Sequence, residues 1–226
     1  KKAIQPNTKL FYTEIISNPL TKVVDIDSVV EIAHGIGAKV VVDSTFTTPC
    51  LIRPIEHGVD MVLHSLTKFI NGHFDVTAGA IVSSSEIINE VRPLIVIFGG
   101  ILSPYSAWLA LRGIKTMNLR VMKQVQNASL VASALEKHPK VNKVYYPGLE
   151  SHPQHSLATR LLKNGYGAML SFGIADDKQK VNDFMQSLQL IRFVNTLGGI
   201  KTTLSHPATT SHIFVEEAIR RKMGIH

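Results

Sequence analysis

Over the first third of the chain, short apolar runs alternate with helix-spaced ones, a pattern that predicts a parallel sheet covered by helices. Residues 9–15 read as a strand. Residues 25–37 read as a helix, because Val29, Val30, Ile32, Ala33 and Ile36 recur at helical spacing behind acidic residues suited to a helix start, and Gly37 stops it. Residues 39–43 read as the next strand. Val40, Val41 and Val42 are apolar without alternation, as expected of a strand buried on both faces, and residues 61–64 and 78–82 carry the same pattern.

Residues 103–135 are helical in composition, with a break expected near Gly113 and a long piece after Thr116 suited to bridging two domains. A soft boundary near Arg120 gives a large domain in 1–119 and a smaller α/β domain in 120–226. In the second part, 141–146, 168–174 and 191–195 read as strands, and 154–162 and 176–188 as helices. There is no internal repeat and no low-complexity segment.

Composition narrows the function classes. With 45% hydrophobic residues, 226 residues can bury a proper core. No run approaches the roughly 20 uncharged apolar residues of a membrane span, and residues 1–9 lack the apolar stretch of a secretory signal, so a soluble, cytoplasmic protein without a membrane partner is expected. Cys50 is the single cysteine; it fits a reducing compartment and reads as a small buried hydrophobe. The 24 basic and 17 acidic residues leave a charge of +7, which favours anionic ligands. The basic residues are scattered, however. Only Arg220, Arg221 and Lys222 form a run, which reads as a solvated helix face, and no nucleic-acid partner is expected.

In open parallel sheets, ligands sit outside the carboxyl ends of the strands. Here those ends run into Glu14 to Asn18, into Asp43-Ser44-Thr45, and into His64-Ser65-Leu66-Thr67-Lys68. A carboxylate, an amide, hydroxyls and an amine thus share one rim. Pyridoxal phosphate would use such a set fully: Lys68 for its aldehyde as a Schiff base, Asp43 opposite its pyridine nitrogen, and Ser65 with Thr67 for its phosphate. Blander readings exist for each: Lys68 as a surface lysine, Asp43 as a turn cap, and Ser65 and Thr67 as turn hydroxyls. Another is a zinc hydrolase built on His64, His73, Asp75 and Asp43, although no H-E-x-x-H pattern occurs. His206 and His212 read as turn-shaping residues, and Gly198-Gly199 as a close-approach loop too short for a dinucleotide fingerprint.

The stretches S-N-P-L, V-V-V-D-S-T-F, H-S-L-T-K-F-I-N-G-H, L-S-P, L-R-G-I-K-T, Y-Y-P-G-L, T-L-G-G and S-H-P-A-T follow one another along nearly the whole chain. In this order they resemble the transsulfuration family of pyridoxal-phosphate enzymes, which includes cystathionine synthases and lyases and methionine γ-lyase. The resemblance implies the aspartate-aminotransferase-like fold type I, an α/β architecture with a mostly parallel sheet domain and a smaller C-terminal α/β domain. It implies pyridoxal 5'-phosphate as cofactor, Lys68 as the Schiff-base lysine, Asp43 beside the ring nitrogen, Ser65 and Thr67 on the phosphate, and Asn18 facing the phenolic oxygen. Thr196, with Leu197, would lie beside the substrate carboxylate.

Some positions depart from the family pattern. Ser44 replaces a common asparagine, Phe74 a small or polar residue, and Thr196 the usual serine. The resemblance also implies a chain truncated at both ends, without the N-terminal arm, the phosphate loop, the ring-stacking tyrosine and the carboxylate arginine. The loop 72–79 and the segment 113–116 look closest to methionine γ-lyase, which implies α,γ-elimination of methionine or cystathionine to a thiol, ammonia and 2-oxobutanoate. Cystathionine γ-synthase or O-acylhomoserine sulfhydrylase chemistry is the alternative, and a non-catalytic fragment that keeps the fold is an alternative of another class. The family resemblance further implies a small amino-acid substrate and a homotetramer built from dimers.

Overall fold

The structure, a computed structural model, describes residues 2–174 and 177–225. Strand β1 (Leu10–Glu14) leads through a turn containing the cis Asn18–Pro19 peptide to helix α1 (Ile26–His34). Asp25 caps α1, its carboxylate accepting from the Ser28 amide at 3.4 Å. The helix ends at His34, before the expected stop, and the left-handed φ of 71° at Gly37 turns the chain into β2 (Lys39–Asp43). A single helical turn α2 (Thr48–Leu51) and a 3-10 turn at Pro54–His57 precede β3 (Met61–Ser65). A wide helical turn, Leu66–Ile70, then precedes β4 (Gly79–Ser83).

These strands form one sheet in the order β1-β2-β3-β4. β1 and β2 run parallel with Glu14 opposite Asp43, and β2 and β3 run parallel with Asp43 opposite Leu63. Val40, Val41 and Val42 are buried as expected, Val40 and Val42 packing with Ile15, Ile26, Ala33, Val59 and Val62. Each such side chain contributes roughly 1.5–3 kcal/mol by leaving water. β4 corrects the expectation of a strand buried on both faces. It pairs antiparallel with β3 at the sheet edge, and Val82 is exposed. The connection 66–78 holds only the wide turn and no crossover helix, so the chain returns antiparallel. At the opposite edge, β1 leaves Leu10 and Tyr12 exposed.

Three helices follow: α3 (Ser85–Ile97), which the sequence reading left unassigned, α4 (Pro104–Ile114) and α5 (Met117–Glu136). Ser84 and Ser103 cap α3 and α4 by accepting from the Ile87 and Ser106 amides. The break between α4 and α5 falls at Lys115 and Thr116, two residues past Gly113. Along α5, Val121 and Val125 pack with Leu51 and Phe69, whereas Ala128 and Ala132 pack with Tyr146 and Leu149.

The remainder builds two small sheets. β5 (Lys143–Tyr145) pairs antiparallel with β6 (Ser171–Gly173), with α6 (His155–Leu161) between them in sequence. Helix α7 (Lys178–Ser187) is capped by Asp177; the Asp176 included in the expected helix lies outside the described residues. β7 (Arg192–Phe193) pairs parallel with β8 (Thr203–Leu204), a two-residue strand too short to show a period, and α8 (Glu217–Lys222) carries the basic run. Gln154 ties this part to the first: its amide carbonyl accepts from the Val23 amide at 2.9 Å and its NH2 donates to Val23 O. Among the described residues, no helix is long and apolar enough to cross a membrane.

Candidate active site

Parallel pairing in register brings Glu14, Asp43 and Ser65 to one rim of the sheet, and Thr45 fastens two of these strand ends together. Its amide donates to Asp43 Oδ1 at 2.8 Å and its hydroxyl accepts from the Ser65 amide at 2.8 Å. The Asp43 carboxylate is half-buried and, among the described residues, has no ion-pair partner. Burial raises the Glu14 carboxyl above its ordinary value; the Asn18 amide opposes this at 3.3 Å and the charge of Asp43 adds to it. Asn18 is exposed and joins the rim through that bond. Such a rim favours a cationic ligand atom against Asp43.

Lys68 lies in the wide turn directly after β3. Its φ of −98° and ψ of −128° break the turn from helical geometry. The side chain is half-buried, and its Nζ makes no hydrogen bond or ion pair among the described residues. The loop 196–199 covers this turn. A Cβ built on Gly198 would lie 2.6 Å from Phe69 N and 2.8 Å from Lys68 C, and Gly198 itself has a φ of 82°. Gln124 on α5 holds the loop by donating to Gly199 O at 2.9 Å, and the Phe74 ring lies 2.2 Å from where a Gly199 Cβ would stand.

Thr196 and Thr67, far apart in sequence, line one cavity of about 460 Å³ with Phe74, Asp75, Val76 and Thr77. Leu197 instead packs inward against the group formed by Leu51, Phe69, Val121 and Val125. Thr67 is already engaged: its hydroxyl accepts from the Ala78 amide at 3.0 Å and sits 3.3 Å from Ala78 O. To bind a phosphate it would turn its proton away from Ala78 O. Ser65 Oγ has no such commitment among the described residues, its amide alone being used by Thr45. His64 faces inward and is buried. Burial pushes its pKa down against the charge of Asp43 and a bond to the Ser44 backbone, and its Nδ1 has no partner among the described residues. Among the described residues, no group of three or more His, Cys, Asp and Glu side chains is placed to hold a metal.

The residue types and their states fit pyridoxal phosphate (PLP). The half-buried carboxylate without a counter-cation suits a protonated ring nitrogen, the partnerless amine suits an aldehyde, and the Ser65 hydroxyl suits a phosphate. Two contributors escaped the sequence reading: Thr45 as a staple between strand ends, and Arg120, which binds the backbone beside Lys68. A threonine after an aspartate and an arginine on a polar helix carry no periodic signal of such contacts.

Comparisons with known proteins agree with this chemistry. A sequence model of the family described as "Cys/Met metabolism PLP-dependent enzyme" matches residues 1–226. The chain is 41% identical over 223 residues to an O-succinylhomoserine sulfhydrylase of Pseudomonas aeruginosa, covering 99% of this chain and 55% of the relative. It is 40% identical over 226 residues to a cystathionine gamma-lyase of Bacillus subtilis, covering 100% of this chain and 59% of the relative. A crystal structure of cystathionine gamma synthase from Xanthomonas oryzae pv. oryzae, in complex with aminoacrylate and cysteine, superimposes with a TM-score of 0.93 at 40% identity, covering 96% of this chain and 56% of that one. The chain thus spans little more than half the length of the relatives it matches, and those relatives are divided among gamma-lyases, beta-lyases, a gamma synthase and a sulfhydrylase. With the whole chain matched and the fold shared, it belongs to the Cys/Met metabolism PLP-dependent enzyme family.

Proposed function

We propose that the protein containing this chain is a carbon–sulfur lyase that eliminates the γ-thiol of methionine or cystathionine, giving a thiol, ammonia and 2-oxobutanoate. The observation that carries the reading is Lys68, whose amine has no partner among the described residues, whose backbone the 196–199 loop covers, and whose turn directly follows the strand paired with that of Asp43. Lys68 would hold the cofactor aldehyde, Asp43 the ring nitrogen, Ser65 and Thr67 the phosphate, and Asn18 the phenolic oxygen. When bound, PLP supplies an electron sink next to the substrate α-carbon. Lys68 Nζ would move protons at the substrate α and β carbons. Asp43 would face the ring nitrogen, Thr45, bonded to Asp43 Oδ1, would fix the direction of that carboxylate, and Thr196 would orient the substrate carboxylate.

The loop 72–79, half of it lining the cavity shared with Thr196, supports a lyase pocket for a thioether side chain. The division among the relatives keeps a second reading in place, a synthase or sulfhydrylase on the same Lys68 and Asp43. We read the working protein as a cytoplasmic homotetramer built from dimers. Ile97, Phe98, Ile101, Tyr105, Trp108 and Leu111, large apolar side chains exposed from the end of α3 into α4, support an assembly surface. The deciding experiment gives the full-length protein methionine alone. Release of methanethiol, ammonia and 2-oxobutanoate supports the lyase. No thiol release, with efficient replacement of an acyl group on homoserine by a thiol, moves the function to the second reading.

A further inference from the structure

Arg120, in the first turn of α5, spends its whole guanidinium on the neighbourhood of Lys68. Its Nη1 donates to Phe69 O at 2.8 Å, its Nη2 to Ile70 O and Gly113 O at 2.9 Å each, and its Nε to Thr116 Oγ1 at 3.0 Å. The Phe69 and Ile70 carbonyls close the turn that carries Lys68 and, like the last carbonyls of any helical segment, lack partners further along their own turn. A planar cation with a fixed fork of donors satisfies both at once and opposes the negative end of the turn.

The surroundings are shaped to the same end. A Cβ on Gly72, whose φ is 76°, would come within 1.8 Å of Arg120 Nη1, so a side chain there would occupy the guanidinium's place. A Cβ on Gly113 would meet Asn71 O at 2.5 Å, so α4 lies directly on the same backbone. Arg120 is half-buried and forms no ion pair with a carboxylate among the described residues; burial pushes its pKa down from the usual arginine value. An arginine kept partly out of water without a carboxylate, and bonded to three carbonyls, is held there for geometry.

We propose that Arg120 is a positioning residue for Lys68, fixing the backbone on which the cofactor-binding amine stands. The proposal rests on the reading of Lys68 given above. It predicts a coupling rather than a general loss of fold, because Arg120 would act on the cofactor through Lys68. Lysine at position 120 keeps the charge but cannot reproduce the fork.

The test titrates PLP into the full-length apo-protein with Arg120 or Arg120→Lys, each in the Lys68 and the Lys68→Ala background, reading the dissociation constant and the visible band. With Lys68 present, Arg120→Lys should weaken PLP binding by about tenfold and shift the visible band, whereas in the Lys68→Ala protein the loss should stay under about twofold. Equal losses in both backgrounds overturn the proposal and make Arg120 a support of the fold alone. Thr116→Val, which removes the Nε contact and the hydroxyl's own bond to Gly113 O but leaves the guanidinium its three carbonyl partners, is the second variant. It should weaken PLP binding by about threefold with the same dependence on Lys68, and a loss independent of Lys68 again overturns the proposal. If Lys68→Ala by itself leaves the visible band unchanged, the reading of Lys68 fails and the proposal with it. That result is distinct from equal losses in a protein whose band does depend on Lys68.

Discussion

Gly198 stands so close to Lys68 that a β-carbon on it would lie 3.0 Å from the Lys68 Cα and 2.8 Å from its carbonyl carbon. Because the atoms it would meet are backbone, the contact can be relieved only by moving the turn or the loop. Gly198→Ala should therefore displace Lys68 by a fraction of an ångström to an ångström and slow the full-length enzyme by roughly 100-fold. Steady-state kinetics with paired melting curves checks this. Normal turnover in the alanine variant would show that the loop does not constrain the lysine.

Lys68→Ala should abolish the visible absorbance of the PLP-loaded protein, since no other lysine follows a strand end beside Ser65, Thr67 and Asp43. Asp43→Asn should still bind PLP through the phosphate but turn over roughly 100-fold more slowly, because a neutral amide no longer favours the protonated ring nitrogen. Absorbance spectra and turnover of both variants check the pair of roles. Wild-type turnover in Asp43→Asn removes Asp43 from its role and leaves Lys68 in place.

Phe74 adopts a φ of 62°, and its ring sits where a Gly199 β-carbon would stand. Gly199→Ala should overpack this contact and cost about 1–3 kcal/mol. Adding Phe74→Ser should recover much of the loss, because it removes the ring. Chemical denaturation of both single variants and the double variant reads the coupling directly, and additive losses count against a direct clash.

Asp60 gathers three donors: His34 Nε2 at 2.9 Å, Lys39 Nζ at 3.1 Å and the Val40 amide at 2.8 Å. Burial raises its pKa, and these three contacts outweigh that and set it below the ordinary carboxylate value. A carboxylate whose pKa is lowered by folding adds stability that is fully present above the unfolded-state value and is lost as pH falls through the folded-state value. Asp60→Asn should thus cost roughly 1–3 kcal/mol at neutral pH, and the difference from wild type should shrink below about pH 4. Urea denaturation at pH 7 and pH 3 checks the sign. A difference independent of pH would assign the loss to packing.

The parts legible in the sequence are those with a local cause. Val40, Val41 and Val42 announce a strand covered on both faces because apolar side chains need cover on each, and parallel pairing then puts Asp43 and Ser65 at the rim. The direction of β4 was not legible, since Ala80, Ile81 and Val82 look alike whichever way the strand runs; the short connection decided it. Nor was the clamp at Arg120, because its partners Phe69 and Ile70 are some fifty positions away and it binds their backbones, which every sequence possesses. The meeting of Thr196 with Thr67 is likewise a product of long-range packing.

The bare edge of β1 bears on how the chain behaves in solution. With Leu10 and Tyr12 exposed and, among the described residues, β2 on one side only, its outward amides and carbonyls form an open seam of the kind that extended peptides join. Colloidal behaviour therefore depends on whether that seam is closed. The 226-residue chain by itself carries a template for strand addition, and whatever strand lies along β1 would serve the sheet as a hem as much as a structural element.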